Sequence, residues 1–327
     1  MIDYQNNFDW ALFKRDVRRD VRNCALLLFL FYAINLGVTA IIEGFLMAGD
    51  VMRLASSQSE ANINAIMQDL MDESTIALLS IIGIIAGSMA FVILRKKRFF
   101  TDIALPSAET LRPWTFIILV ALTQAISFAT SLISMLVETL LPEGISVVGS
   151  YESAMDMLMT PPGMIYIVLV GPIFEELIFR GAIMGSLRKY GDNFAILFSS
   201  LLFGLYHGVV LQIPFAFAMG LVLGYACTRW SMRTAIALHI ITNGLSMLFS
   251  MESFAIPGVL FWIVCGILTI ILIFAYRNSF TARVRAGIPY YGKITYANGF
   301  SSIAFWLFAA AMVGLALLQL TGILAVG

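Results

Sequence analysis

Histidine, cysteine and charge are the scarce materials of this chain. It has two histidines and three cysteines in 327 residues, and Asp, Glu, Lys and Arg together make up 12%. The spacing of Cys24, Cys227 and Cys265 suits neither a disulfide framework nor a cysteine-type zinc site. As small side chains in apolar runs they need no further account. A net charge of zero gives no electrostatic footprint for binding nucleic acid. No short-period repeat and no low-complexity segment occurs. What is abundant is apolar surface: 60% of residues are hydrophobic and mean hydropathy is +0.90, against about half apolar in a soluble domain.

A helix needs roughly 20 apolar residues to span a bilayer. Runs near 24–48, 76–94, 114–141, 163–187, 194–212, 213–229, 233–250, 256–276 and 301–325 predict an all-α, polytopic membrane bundle of about nine transmembrane helices. Gly208 and Pro214 favour a break between the fifth and sixth, since proline removes a helix hydrogen bond. Residues 1–23 form a cytoplasmic N-terminal segment, either a surface amphipathic helix around Trp10, Phe13 and Val17 or a solvated tail. Residues 24–327 form the transmembrane domain, with its functional core at about 160–250. Residues 49–75 read as a polar outer loop. The first apolar run is too long for a signal-peptide h-region, so no cleavable signal is expected.

Charge fixes the orientation. Lys14, Arg15, Arg18, Arg19 and Arg22 precede the first run, and Arg95, Lys96, Lys97, Arg98 and Arg112 follow the second. Arg188 and Lys189, Arg229 and Arg233, and Arg277, Arg283, Arg285 and Lys293 fall on the same side in turn. The opposite loops carry acids such as Asp69, Asp72, Glu143, Glu152 and Glu252, with Arg53 as their only base. This positive-inside pattern predicts a cytoplasmic N-terminus and an external C-terminus. It also accounts for the basic loops, through topology and anionic lipid.

Against that background the polar residues inside the apolar runs stand out, because ionisable groups at membrane depth cost several kcal/mol and mark function by default. The fourth run starts at Pro161-Pro162-Gly163, is expected to kink at Pro172, and carries Glu175, Glu176 and Arg180. Glu176 and Arg180, four apart, share a helix face and offset each other's charge. Glu175, about 100° round the helix, needs a different partner: a histidine, a metal or water. The bland reading is a structural ion pair with a spare acid. The fifth run carries Phe203 and His207, the latter flanked by Gly204 and Gly208, which would let a neighbour approach. A lone buried histidine is more often a bonded core residue than a base. His239 and Asn243, also four apart on the seventh run, can donate two hydrogen bonds to one oxyanion or simply clamp two helices.

Together the parts say more. A carboxylate beside an imidazole is a usable base for water; an imidazole with an amide stabilises negative charge. That set suits attack of water on a peptide carbonyl without a serine nucleophile. Counting 1.5 Å per residue puts Glu175 near the midplane and His239 and Asn243 in the cytoplasmic half. His207 falls slightly beyond the midplane, as the outlier. The expected opening is cytoplasmic.

These blocks resemble the CAAX prenyl endopeptidase and bacteriocin-processing (CPBP, or Abi) family of intramembrane proteases. The family pattern is Glu-Glu-x-x-x-Arg, Phe-x-x-x-His and His-x-x-x-Asn on successive helices, met here by Glu175, Glu176 and Arg180, by Phe203 and His207, and by His239 and Asn243. The resemblance implies a helical bundle that encloses a water-filled cavity and hydrolyses a peptide bond in it, in CAAX-type processing or in bacteriocin maturation or self-immunity. By position, Glu175 would activate water held by His207. His239 and Asn243 would form the oxyanion hole, and Glu176, Arg180 and Phe203 would shape the site. Family members have been described both as metalloproteases and as metal-free glutamate proteases. A zinc ion would take Glu175, His207 and His239 plus water; the alternative needs no cofactor. The expected partners are a peptide or protein substrate at the membrane and the bilayer itself, in a bacterial plasma membrane. The competing class is a transporter, or a non-catalytic chaperone or immunity protein, that uses the same buried polar cluster for binding.

Overall fold

The structure, a computed structural model, describes residues 9–56, 73–96, 109–142, 145–148, 159–289 and 291–320. Regular structure among them is helical throughout: α1 (Trp10–Ser56), α2 (Glu73–Arg95), α3 (Pro113–Leu140), a composite α4, α5 (Asp192–Tyr206), α6 (Gln212–Arg229), α7 (Met232–Ser250), α8 (Ala255–Ala286), α9 (Gly292–Phe300) and α10 (Ile303–Leu320). The α4 helix changes pitch along its length. It is α over Pro161–Ile165, π over Tyr166–Val170, α over Gly171–Glu176, π over Leu177–Met184, α over Gly185–Leu187, and closes in a 3-10 turn, Arg188–Tyr190.

Each apolar run coincides with a helix, but five segments among the described residues are long and apolar enough to cross a membrane: Trp10–Gly49, Glu73–Arg95, Pro113–Leu140, Glu252–Ala286 and Ile303–Leu320. The α5 helix is apolar but has only 15 residues. It stops at Tyr206, six residues before the end of its apolar run, because the chain turns at Gly208 with φ +60°, a left-handed conformation that glycine adopts without strain. Most of the expected polar outer loop, and the acids Asp69, Asp72, Glu143 and Glu152, lie outside the described residues.

The N-terminal segment is helical from Trp10 and runs through residue 23 without a break. Val17, Val21, Cys24, Ala25, Leu28 and Phe31 are all buried, a helical stripe that docks against the bundle core. At the basic end of the bundle Asp20 ties this helix to the end of α4, accepting from the Tyr190 hydroxyl at 2.8 Å and pairing with Lys189. Burial, with the Asp20 carboxylate beside it, holds the Tyr190 phenol well above its ordinary range.

The centre of the molecule is α4. Seven consecutive residues, Ile178 to Met184, are buried. A helix buried on every side must be surrounded by other helices. One neighbour is the α5–α6 hairpin, which closes tightly at Gly204, where a Cβ would meet the Ile213 carbonyl oxygen at 2.7 Å. The α8 helix leans on α3 through a Trp262 Nε1 to Gln124 Oε1 bond of 2.9 Å. Its other faces expose Ile256, Leu260, Val264, Ile271 and Phe274. Such a helix is stable only with lipid against those faces.

Candidate active site

The polar residues of α4 and α7 meet in the interior. Glu176 and Arg180 are fully buried, with Arg180 Nη1 donating to Glu176 Oε1 at 3.0 Å. The same oxygen faces His239 Nδ1 at 3.0 Å. A ring nitrogen against a carboxylate is the donor, so a neutral His239 presents an unprotonated Nε2 on its far side. That Nε2 lies 3.7 Å from Glu175 Oε2, too long for a hydrogen bond but close enough to share a proton through a small adjustment or a water. Glu175 is the more accessible acid, with its side chain 13% exposed.

Glu176 therefore has a larger part than pairing with Arg180. One carboxylate oxygen joins a cation and an imidazole, which sets the tautomer and orientation of His239. Arg180 stacks 4.3 Å above the Phe203 ring, while its Nε and Nη2, and Glu176 Oε2, have no hydrogen-bond partner among the described residues. Phe203 separates the two histidines, edge-on to His207 at 4.8 Å and to His239 at 5.8 Å between ring centroids.

His207 caps the C-terminus of α5. Its Nδ1 bonds the Phe203 carbonyl at 2.9 Å, so Nε2 is again the free acceptor. The turn that carries it is held from outside: Tyr32 of α1 donates its hydroxyl to the Tyr206 carbonyl, one of the acceptors left over at a helix end. Asn243 sits one turn beyond His239. Its Nδ2 donates to the Ile167 carbonyl at 2.9 Å, within the first π stretch. The reason is local. Gly171 N–H reaches back to Tyr166, and in that register Pro172 has no N–H to offer Ile167. Asn243 supplies the missing donor and retains a second amide hydrogen.

The expected neighbours thus meet. Glu175, Glu176, Arg180 and His239 form one cluster, Phe203 joins it to His207, and Asn243 anchors α7 to α4 just above it. The expected zinc set does not close. No group of three or more His, Cys, Asp or Glu side chains among the described residues, Glu175, His207 and His239 included, is arranged to hold an ion. Several supporting residues carried no sequence signal: Tyr32; Ser199, whose hydroxyl donates to the Phe179 carbonyl in the second π stretch at 2.6 Å; and Thr123, which accepts from Thr242 at 2.9 Å between α3 and α7. A hydroxyl in an apolar run satisfies its own helix so readily that spacing cannot single it out.

Comparison with known proteins bears on this same segment. Residues 158–245 match the family model described as Type II CAAX prenyl endopeptidase Rce1-like. Among curated proteins, the membrane-embedded CAAX protease MroQ of Staphylococcus aureus (strain USA300) is 33% identical over 95 residues, 26% of this chain and 38% of its own length. The provisionally named membrane peptidase YdiL of Bacillus subtilis (strain 168) is 32% identical over 104 residues, 31% of this chain and 43% of its own length. The match spans less than half of either relative. No solved structure matches. All seven residues of the three motifs lie inside the matched segment, so over residues 158–245 this chain carries the CAAX prenyl endopeptidase pattern that those motifs resemble.

Proposed function

We propose that the protein is an intramembrane endopeptidase that uses Glu175 as the base for water. The observation that carries this reading is the chain of contacts Arg180–Glu176–His239–Glu175, at 3.0, 3.0 and 3.7 Å. Water beside Glu175 gives up a proton to the carboxylate as its oxygen attacks the scissile carbonyl carbon. The proton passes to His239 Nε2, and the imidazolium is balanced by Glu176 on its other nitrogen. With the second Asn243 amide hydrogen, it then faces the oxyanion, where one well-placed donor contributes about 10²–10³-fold. As the tetrahedral intermediate collapses, the C–N bond breaks and the imidazolium protonates the leaving amine. His207 Nε2 accepts the other hydrogen of the attacking water and fixes its direction. Arg180 pairs with Glu176 and so holds His239 in register.

The substrate is a peptide or protein segment presented at the membrane, in CAAX-type processing or bacteriocin maturation or self-immunity. The site opens to the cytoplasmic side of a bacterial plasma membrane. The test is reconstitution in liposomes with membrane peptides, and mass spectrometry of new termini. Wild type should create them and Glu175→Gln, which keeps the shape but cannot take the proton, should lose nearly all activity while eluting as a folded protein. Chelation should leave the wild-type rate unchanged, since the mechanism draws only on side chains. Cleavage by Glu175→Gln at the wild-type rate sinks the assignment. No new termini from either protein would favour the binding-only reading of the same cluster.

A further inference from the structure

A second site lies away from these residues. A cleft of about 490 Å³ opens at the basic end of the bundle, where α3 begins and α6 and α8 end, lined by Glu109, Arg112, Trp114, Thr115, Trp230 and Arg283 among others. Its place is set by the spans. The α3 segment starts at Pro113 and the Glu252–Ala286 segment ends three residues past Arg283, so the cleft sits where two candidate spans leave the apolar layer.

Its charge follows from its partners. Glu109 is neutralised by Arg229, and its N–H also bonds the Arg229 carbonyl at 3.1 Å. Arg283 donates to the Tyr225 hydroxyl at 3.1 Å, a neutral acceptor that leaves its charge in place. Arg112 lies 5.8 Å from the Trp114 ring centroid, again without cancelling charge. Among the described lining residues, two guanidinium groups therefore face the cleft against one acid, Glu109, which already pairs with Arg229. Two indoles lie beside them, the side chain that settles at the headgroup level of a bilayer. The adjoining α8 surface exposes Tyr276, Phe280 and Val284, a path for acyl chains. Guanidinium forks suit phosphate oxygens, and basic pockets between membrane helices take anionic headgroups.

We infer that this cleft binds the phosphodiester headgroup of an anionic phospholipid. Trp230 lines the cleft, and α7 starts two residues later. His239 follows seven residues into that helix, about 10 Å along its axis. A bound headgroup would brace the foot of the helix that carries the catalytic imidazole. The inference stands on the cleft and does not need the protease reading.

The experiment uses the full chain in detergent, titrated with dioleoylphosphatidylglycerol, dioleoylphosphatidylcholine or inorganic phosphate. Retained adducts are counted by native mass spectrometry and melting temperature is recorded. Phosphatidylglycerol should leave one saturable adduct and raise the melting temperature, whereas phosphatidylcholine should do neither. Arg112→Gln/Arg283→Gln should weaken the adduct by about tenfold or more, at roughly 1 kcal/mol per basic residue. Arg277→Gln, an exposed base outside the cleft, should leave it unchanged. If the double variant elutes aggregated, Arg112→Gln alone carries the comparison, with a several-fold loss expected. Equal retention of phosphatidylcholine, equal loss from Arg277→Gln, or undiminished binding by the cleft variants would overturn the inference. The same shift from inorganic phosphate alone would overturn the lipid assignment.

Discussion

Replacing Glu176 by glutamine tests whether the buried network is held by charge. Glu176 and Arg180 have no exposed side-chain surface. Glutamine can still accept from Arg180 Nη1 and His239 Nδ1 through its one carbonyl oxygen, but the negative charge is gone. Arg180 remains cationic and buried, with two nitrogens already lacking partners. Breaking a buried pair costs about 3–5 kcal/mol, because the surviving charge is stranded. The Phe203 ring under the guanidinium gives back about 0.5–2 kcal/mol, and it does so in both proteins. The retained hydrogen bonds place the expected loss at the lower end, about 3 kcal/mol. Removing both charges, in Glu176→Gln/Arg180→Met, should recover most of it, since an apolar replacement for a buried pair is often neutral. Thermal unfolding in detergent should rank wild type first, the double variant second and Glu176→Gln last. A loss near 1 kcal/mol is what an ordinary hydrogen bond between membrane helices is worth. If Glu176→Gln costs no more than that, or if the double variant falls to the sum of the two single ones, Arg180 is not a stranded charge and the electrostatic argument fails.

Three further outcomes are expected. Asn243→Ala should lower turnover by about 10²–10³-fold if it removes an oxyanion donor, and should also cost about 1–3 kcal/mol of stability by orphaning the Ile167 carbonyl; a stable protein with unchanged turnover would leave Asn243 neither role. Tyr32→Phe should keep the fold but loosen the His207 turn, costing about 0.5–1.5 kcal/mol and reducing kcat with little change in KM; an unaltered kcat would show that the turn holds itself. Reporter fusions after Arg98, Asp156, Lys189 and Glu252 should read inside, outside, inside, outside, and two reversals among the four would refute the topology.

What the sequence made legible was whatever repeats or is costly. Hydropathy located the helices because a span needs an unbroken apolar run, and the start of α4 was marked by Pro161 and Pro162. The pairing of Glu176 with Arg180 followed from four-residue spacing on one face. What could not be read was pitch. Nothing in Leu177-Ile178-Phe179-Arg180 announces a π turn, yet the change of register decides which carbonyls go unpaired. Nor could spacing show that Glu176, rather than Glu175, would take the Nδ1 of His239, because both acids lie on the helix next to α7 and the choice depends on its rotation. The end of α5 was placed too late for a related reason: the apolar run continues past His207, and only the backbone at Gly208 breaks it.

The irregular helix and the reactive residues belong to one design constraint. A membrane interior has no water to satisfy a freed backbone group, so carbonyls that α4 and the end of α5 release are met by side chains, three of them from other helices. Asn243 meets Ile167, Ser199 meets Phe179 and Tyr32 meets Tyr206. These contacts come from α7, α5 and α1, and each lies within a few residues of a motif side chain. The backbone irregularities that turn Glu175 and His207 toward the site are thus the points at which the surrounding helices are fastened. That explains how two acids, a guanidinium and two imidazoles can be held in fixed relation inside a bundle whose outer helices contribute almost none of the chemistry. It also gives Tyr32, far outside the matched segment, a reason to be where it is: its hydroxyl meets the Tyr206 carbonyl at the turn bearing His207.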